Sequence, residues 1–263
     1  MRRLMREARE AGARLIHFPE GATCSPNKRI MSGTGPEKVG PADWTVFAWD
    51  VLREELKATS NLAKELGLWT VFGSVHPLTP PHRPHNSLYV VSDRGRLLTR
   101  YDERLLSNTK VSFMYSPGKI PVIFEVDGVR FGCALGMETH YPEIFIEYEG
   151  LGVDCVLFST TGESPIGASA FAAETLGHAA SNSYWVSLSA HAPQSVAVPS
   201  GIAAPDGTWA ERCSSDGMPS VAVTTITLDP GDLARPWRRT ARSDLYKPHQ
   251  VNSDPRSDGR DLF

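Results

Sequence analysis

The sequence lacks the long apolar runs and the excess of one charge that would point to a membrane or a nucleic acid. No apolar run approaches the ~18 residues of a transmembrane helix, and the charged N-terminus has no apolar segment of the signal-peptide type. The 27 basic and 30 acidic residues give a formal net charge of −3. This balance favours neither nucleic acid nor an anionic membrane as a partner. We therefore predict a soluble, cytoplasmic protein.

Cysteine is also scarce, with four residues that lie far apart among 263. Cys133 and Cys155 lie in apolar, strand-like runs, which is typical of buried thiols. Because closely spaced pairs are absent, the pattern indicates reduced thiols rather than a disulfide framework. The hydrophobic content of 41% suits one large globular domain with a substantial core.

Helix-like and strand-like segments alternate along the chain. Apolar residues at helical spacing predict a helix over 43–67 that ends at Gly67. Two hairpins are predicted, with turns at 93–95 and 127–128. Strand-type sequences also occupy 195–204, 208–213 and 220–228. Interleaved helices and strands predict an α/β protein whose mixed sheet is covered by helices.

One stretch, "VRFGCALGMETHYPEIF", has the form of an active-site corner without a reactive residue. A strand-like run from Val129 ends at Gly136, a polar corner follows, and Pro142 opens a helix. Many α/β enzymes hold a nucleophile between a strand and a helix N-terminus. Glycine tolerates the strained dihedrals of such a corner. We therefore expect Gly136 to keep the corner's shape and to enlarge the pocket by about one side chain.

Several motifs together resemble the carbon-nitrogen hydrolase (nitrilase) superfamily over about residues 1 to 230. They are "LIHFPEG", "RYDERLLSNTK", "YSPG", "GVRFGCALGMETHYPE" and "SGIAAPDG", in the family's order. The resemblance implies a four-layer α-β-β-α sandwich that pairs into homodimers or higher homo-oligomers. It also implies hydrolysis of nitriles, amides or carbamoyl groups by a Glu base, a Lys and a Cys nucleophile, with a second Glu nearby. Residues 1–230 form the hydrolase-like domain in this interpretation, and 231–263 form a tail.

The resemblance assigns the site residue by residue, with two departures. Glu20 of "FPEG" matches the family's base, but Glu103 stands where the family has its lysine and Gly136 where it has its cysteine. Lys110 falls close to the place of the second glutamate, so the two charges have changed places. Because this exchange keeps the local charge, we expect the charged atoms of Glu103 and Lys110 to lie within about 4 Å, or both residues to face the Glu20 pocket. One of the two glutamates is then expected to have a raised pKa suited to general acid chemistry. The alternative is that Lys110 is a solvated loop residue and Glu103 only a charge at the end of a strand.

Three further candidate residues, Cys24, Glu138 and His140, each allow two interpretations. Cys24 is either a moved nucleophile or a small apolar filler, while Cys133, an odd offset from Gly136, is expected to face the other way and pack. Glu138 and His140 flank the corner and either line the substrate pocket or cap the following helix.

No cofactor or metal is predicted. His76, His82 and His85 lie in a proline-rich stretch, but their spacing fits no strong zinc pattern, so a solvated loop is favoured.

The start of the chain is a further departure from the family. Members begin with an apolar strand before the first helix, whereas Met1 here already lies in that helix. Unpaired backbone beside a missing strand is costly. We therefore expect additional residues upstream, or another segment that fills the gap.

Two functions remain open. The first is an enzyme that acts on a small amide-like, nitrile-like or other nitrogen-containing metabolite by acid/base chemistry without a thioester. The second is a catalytically inactive pseudoenzyme that binds a ligand or pairs with another subunit.

Overall fold

A computed structural model describes residues 1–24, 40–162, 168–251 and 253–258. The chain divides into two compact units, Met1–Leu228 and Asp229–Phe263. Among the helices in the described ranges, none has both the length and the apolar character needed to cross a membrane. The second unit contains α5 (Ala234–Arg242) and α6 (Pro255–Asp258), numbered after the four α-helices of the first unit.

The first unit contains four α-helices and ten strands within the described residues. The helices are α1 (Arg2–Glu10), α2 (Trp49–Leu66), α3 (Pro142–Gly150) and α4 (Ala168–Asn182). The strands are β1 (Leu15–His17), β2 (Trp69–His76), β3 (His85–Val91), β4 (Leu97–Asp102), β5 (Ile123–Val126), β6 (Val129–Leu135), β7 (Cys155–Ser159), β8 (Trp185–Ser189), β9 (Gly201–Ala203) and β10 (Trp209–Arg212).

These strands form two mixed sheets. The first sheet has the order β1-β2-β3-β4, with β1 and β2 parallel and the other pairs antiparallel. The second sheet has the order β10-β9-β8-β7-β6-β5, in which β6, β7 and β8 are parallel. Both hairpins expected from the sequence, β3–β4 and β5–β6, are therefore confirmed.

The two sheets pack face to face through one apolar cluster. Val71 and Leu88 of the first sheet share it with Phe131 and Leu157 of the second. These side chains are almost fully buried. Burial of this much apolar surface is the main force that holds the sheets together.

Helices cover the outer face of each sheet. Met5 of α1 and Leu62 of α2 share a buried cluster with Phe72 of the first sheet. On the second sheet, Phe145 of α3 belongs to a cluster with Phe158 of β7. The layers are therefore helix, sheet, sheet and helix, which confirms the predicted α-β-β-α sandwich.

Local signals in the sequence set several element ends. Helix α2 ends at Gly67, whose left-handed φ of 59° closes the last turn. The β5–β6 turn has positive φ at Asp127 (50°) and Gly128 (83°), a conformation that suits a two-residue hairpin. Helix α3 starts at Pro142, as expected for a residue without a backbone N–H.

Two expected strands differ in the structure. Only Gly201–Ala203 of the segment 195–204 pairs, because a short 3₁₀ turn at Ala192–Gln194 and further turns precede it. The segment 220–228 belongs to no ladder within the described residues. Strand-type sequence forms a strand only beside an open sheet edge, so sequence pattern alone overestimated the sheet here. Strand β1 lies at an edge of the first sheet, where it pairs only with β2 among the described residues. This arrangement does not contradict the expectation that a strand is missing beside β1.

Candidate active site

The candidate site lies where strands of both sheets end. Glu20 follows β1 after a short connection, Glu103 comes directly after β4, and Gly136 comes directly after β6. Lys110 begins a short π-helical turn, Lys110–Met114. The carboxyl ends of strands are a common position for ligand sites in α/β proteins.

Lys110 joins the two glutamates in one buried ion cluster. Its Nζ atom lies 2.7 Å from Oε1 of Glu20 and 2.8 Å from Oε2 of Glu103. It also donates to Oε1 of Glu103 at 2.9 Å. The lysine side chain is 13% exposed, and both carboxylates are buried. The expected contact between Glu103 and Lys110 is confirmed, and it takes place beside Glu20.

Uncharged groups also donate hydrogen bonds to the two carboxylates. Asn86 of β3 uses one amide nitrogen for both, at 2.9 Å from Oε1 of Glu20 and in close contact with Glu103. The backbone N–H of Thr161 donates to Oε2 of Glu20 at 3.2 Å. Sequence reasoning missed Asn86, although a polar residue in the apolar run "NSLYVV" was an available signal.

Burial raises the pKa of Glu103. Removing a carboxylate from water disfavours its charged form. Burial is the largest cause of the shift, and Glu20 and Glu138 add to it, while Lys110 opposes it. The resulting pKa is about 7. Glu103 therefore exchanges a proton near neutral pH, as a general acid must.

Gly136 has the predicted corner geometry but not the predicted free space. Its φ of +66° lies in the left-handed region that glycine adopts without strain. A Cβ atom at this position would lie within 3.0 Å of both Oε1 of Glu103 and Nζ of Lys110. The expected enlargement of the pocket is therefore wrong, because the ion pair occupies the place of the absent side chain.

Glu138 supports the corner from the other side. Its carboxylate accepts hydrogen bonds from the hydroxyl of Tyr101 at 2.7 and 2.8 Å and from the backbone N–H of Leu135 at 2.8 Å. It also accepts from the N–H groups of Arg104 and Leu105, at 2.7 and 3.2 Å. These bonds join the end of β6 to the segment that carries Glu103. Glu138 thus caps the 3₁₀ turn at the corner rather than helix α3.

The remaining candidates lie away from the ion cluster or at its margin. His140 is exposed and pairs with Glu174 of α4, its Nδ1 2.7 Å from Oε1, so a role in lining the pocket is not supported. Cys133 is buried between the sheets, as predicted. Cys24 is half-buried, and its thiol lies 3.7 Å from the carbonyl oxygen of Gly21.

Tyr115 is a second residue that the sequence prediction missed. Its ring is fully buried against Trp44, with ring centroids 5.5 Å apart. Burial raises its pKa well above the ordinary range, and the charges of Cys24 and Glu20 add to this effect. Tyr115 therefore stays a neutral phenol. Its place directly before "SPG" within the quoted motif "YSPG" was the available signal.

The histidines of the proline-rich stretch do not form a metal cluster. His76 bonds the hydroxyl of Tyr89 at 2.8 Å, and His85 bonds the carbonyl oxygen of Ser116 at 2.7 Å. Among the described residues, no group of three or more His, Cys, Asp or Glu side chains is arranged to hold a metal ion.

The sequence and the fold both have known relatives. Residues 1–238 match the family model of the carbon-nitrogen hydrolases. No curated protein matches the chain. A cysteine-to-alanine variant of the Nesterenkonia AN1 amidase, from the nitrilase superfamily, has a similar structure, with a TM-score of 0.72 at 16% identity over 95% of this chain and 88% of that one. A glutamate-to-glutamine variant of the Nesterenkonia sp. AN1 amidase, which shows the Michael addition of acrylamide at the active-site cysteine, aligns with a TM-score of 0.70 at 18% identity over 95% and 91% of the two chains. The family match covers most of the sequence, and the chain therefore belongs to the carbon-nitrogen hydrolase family.

Proposed function

We propose that this protein hydrolyses a small amide-like, nitrile-like or other nitrogen-containing metabolite by acid/base chemistry without a covalent intermediate. The ion cluster of Glu20, Glu103 and Lys110 supports the proposal, because it gathers a base, an acid and a cation beside a corner that lacks a nucleophile. Amidases of the same superfamily supply the substrate class by analogy. One of them has been captured in complex with butyramide.

For an amide, the reaction begins with attack by water. Glu20 takes a proton from the water as the hydroxyl group adds to the carbonyl carbon. The carbonyl oxygen becomes negative and accepts a hydrogen bond from the Lys110 ammonium group. Protonated Glu103 then gives its proton to the nitrogen, the C–N bond breaks, and ammonia or an amine leaves.

Proton return completes the cycle. The newly formed carboxylic acid gives its proton to Glu103, while Glu20 gives its own to the released amine. The products are a carboxylate and an ammonium ion, and both glutamates regain their starting states. The pKa of about 7 at Glu103 suits this exchange, because the proton is neither held nor lost completely at neutral pH.

A pseudoenzyme is the second candidate, and one observation favours it. The ion cluster already fills the space beside Gly136, where the family's acyl intermediate would form. A protein that has closed this space can still bind a ligand or pair with a subunit. We also propose, from the family resemblance, a cytoplasmic homodimer or higher homo-oligomer, which light scattering on purified protein would test.

A turnover assay separates the two candidates. Purified protein is incubated with acetamide, propionamide, butyramide and their nitriles, and released ammonia is measured. Activity that is lost in Glu20→Gln but kept in Glu125→Gln, an exposed control on β5, supports the enzyme. Binding of these compounds without any release of ammonia supports the pseudoenzyme instead.

Mass spectrometry tests the absence of a covalent intermediate. After incubation of the folded protein with acrylamide, we expect no adduct on the tryptic peptide 131–212, because Gly136 offers no nucleophile and the two cysteines of this peptide, Cys133 and Cys155, are buried. An adduct on Cys24 that abolishes turnover would instead show that the nucleophile has moved, and the non-covalent mechanism would be wrong.

A further inference from the structure

The side-chain oxygen of Asn86 is a buried hydrogen-bond acceptor without a donor. Asn86 lies on β3 and is fully buried. Its Oδ1 atom has no hydrogen-bond partner among the residues that the structure describes. Nearly all buried polar atoms in folded proteins have a partner, so such an exception at a candidate active site calls for an explanation.

The amide group of Asn86 has only one orientation that suits its neighbours. Its Nδ2 atom donates to Oε1 of Glu20 at 2.9 Å and is in close contact with Oε2 of Glu103. An amide nitrogen has two hydrogens, one for each carboxylate, whereas an amide oxygen has none to give. The opposite orientation would place an oxygen against both carboxylates. The hydrogen-bond network therefore assigns Oδ1 as the acceptor end of the group.

The backbone of Asn86 is held on both sides. Asn86 is the ladder partner of Val75 on β2, and its carbonyl oxygen accepts a hydrogen bond from the N–H of Glu103 at 2.9 Å. Oδ1 is attached to the same carbon atom as Nδ2, so it lies beside the ion cluster in a fixed place. An acceptor that is already in position needs no ordering when a ligand binds, which favours the ligand that can donate to it.

The nitrogen of a substrate is a suitable donor. This step rests on the proposed function, in which Glu103 gives its proton to the leaving nitrogen. Because Glu103 contacts the amide of Asn86, a nitrogen that reaches Glu103 lies close to this amide. The nitrogen of an unsubstituted or singly substituted amide carries at least one N–H, and so does that of a carbamoyl group. The nitrogen of a nitrile carries none.

We infer that Oδ1 of Asn86 accepts a hydrogen bond from an N–H group of the substrate. The substrates are then amides or carbamoyl compounds with at least one N–H, and not nitriles. A site that holds a buried acceptor for a substrate N–H rejects a compound of the same shape that lacks it, because the acceptor is then left unpaired.

A matched pair of ligands tests the inference on the full chain. Propionamide and butanone have the same shape and the same carbonyl group, but butanone has a methyl group in place of the NH₂ group. Binding of each is followed by NMR titration. We expect propionamide to bind about tenfold more tightly than butanone, or better. Hydrolysis of propionamide appears as separate propionate signals, so the proposed function is tested independently of the binding preference.

Two variants assign the preference to Asn86. Asn86→Ala removes Oδ1 and should reduce the preference for propionamide by about fivefold or more. The loss of Nδ2 in this variant affects both ligands and cancels in the ratio. Asn108→Ala, at an exposed asparagine, should leave the ratio unchanged.

A measurement on the wild-type protein does not depend on the folding of any variant. Propionamide, and not butanone, should shift the ¹³C signal of the Asn86 side-chain carbonyl group, because only propionamide donates a hydrogen bond to its oxygen.

Three outcomes would overturn the inference. Equal binding of propionamide and butanone to the wild type would show that no N–H is recognised. A preference that persists in Asn86→Ala would assign the recognition to another group. Failure of both ligands to bind would show that the cluster takes no such compound. A preference without any propionate would instead support the inference and contradict only the proposed hydrolysis.

Discussion

Replacement of Lys110 by methionine should destabilise the protein in a way that depends strongly on pH. The ammonium group of Lys110 contacts both Glu20 and Glu103 at less than 3 Å and is a cation that the two carboxylates share. Methionine keeps most of the side-chain volume but removes the charge. Both glutamates are buried, so the folded variant must hold them as neutral carboxylic acids.

The size of this loss of stability follows from the equilibrium between the ionised and the protonated carboxyl groups. Glu103 already has a pKa of about 7 and needs little further change. Keeping a second glutamate neutral, from an ordinary pKa of 4.5, costs about 1.4 kcal/mol for each pH unit above that value. The loss should therefore be about 4 kcal/mol at pH 7.5 and less than about 1 kcal/mol at pH 5. The former value agrees with the ~3–5 kcal/mol that breaking a buried ion pair typically costs.

The direction of the pH dependence follows from the number of protons that the folded and unfolded states bind. With raised carboxyl pKa values, the folded variant binds more protons than the unfolded chain above about pH 4.5, so its stability falls as pH rises. Urea unfolding followed by circular dichroism at pH 5, 6 and 7.5 measures the effect. Lys119→Met, at an exposed lysine, is the matched control and should change stability by less than about 0.5 kcal/mol.

A double variant sharpens the test. Glu20→Gln combined with Lys110→Met removes one charge of each sign, so it should recover much of the stability lost at pH 7.5. A loss in Lys110→Met that is equal at pH 5 and pH 7.5, or no larger than in the Lys119 control, would refute the reasoning.

Three further predictions concern the same corner. Gly136→Ala should lower the free energy of unfolding by about 2 kcal/mol or more, since alanine is strained at positive φ and meets the ion pair; urea unfolding should show little change for Gly150→Ala, which has open space. Glu138→Ala should lower stability by about 3 kcal/mol, because it leaves buried N–H groups without acceptors; an equal effect in the exposed Glu143→Ala would contradict this. Wild-type stability should fall by up to about 3 kcal/mol as pH rises from about 4.5 to 7, because folding raises the pKa of Glu103; this slope should be absent from urea titrations of Glu103→Gln, and its persistence there would assign it to another group.

Local chemistry let the sequence predict much of the fold. Gly67 ends a helix, and Asp127 with Gly128 turns a hairpin, because few other residues adopt these backbone conformations without strain. The two predicted hairpins are β3–β4 and β5–β6, and the helix predicted over 43–67 contains α2. The order of the family motifs predicted the α-β-β-α sandwich and identified Glu20, Glu103 and Lys110 as candidate site residues.

Tertiary structure decided which further residues join the site and which segments pair as strands. Asn86 is 66 residues from Glu20 in the chain, and only the packing of β3 places its amide between the two carboxylates. The segment 220–228 has a strand-type sequence, but a strand needs a partner at the right distance, which no local pattern encodes. The free space expected at Gly136 is filled by the side chains of Glu103 and Lys110, which belong to one stretch of chain far from Gly136 in sequence, since a packed interior leaves few voids. The sequence thus determined which reactive side chains the protein has, and the fold determined where these side chains lie relative to one another.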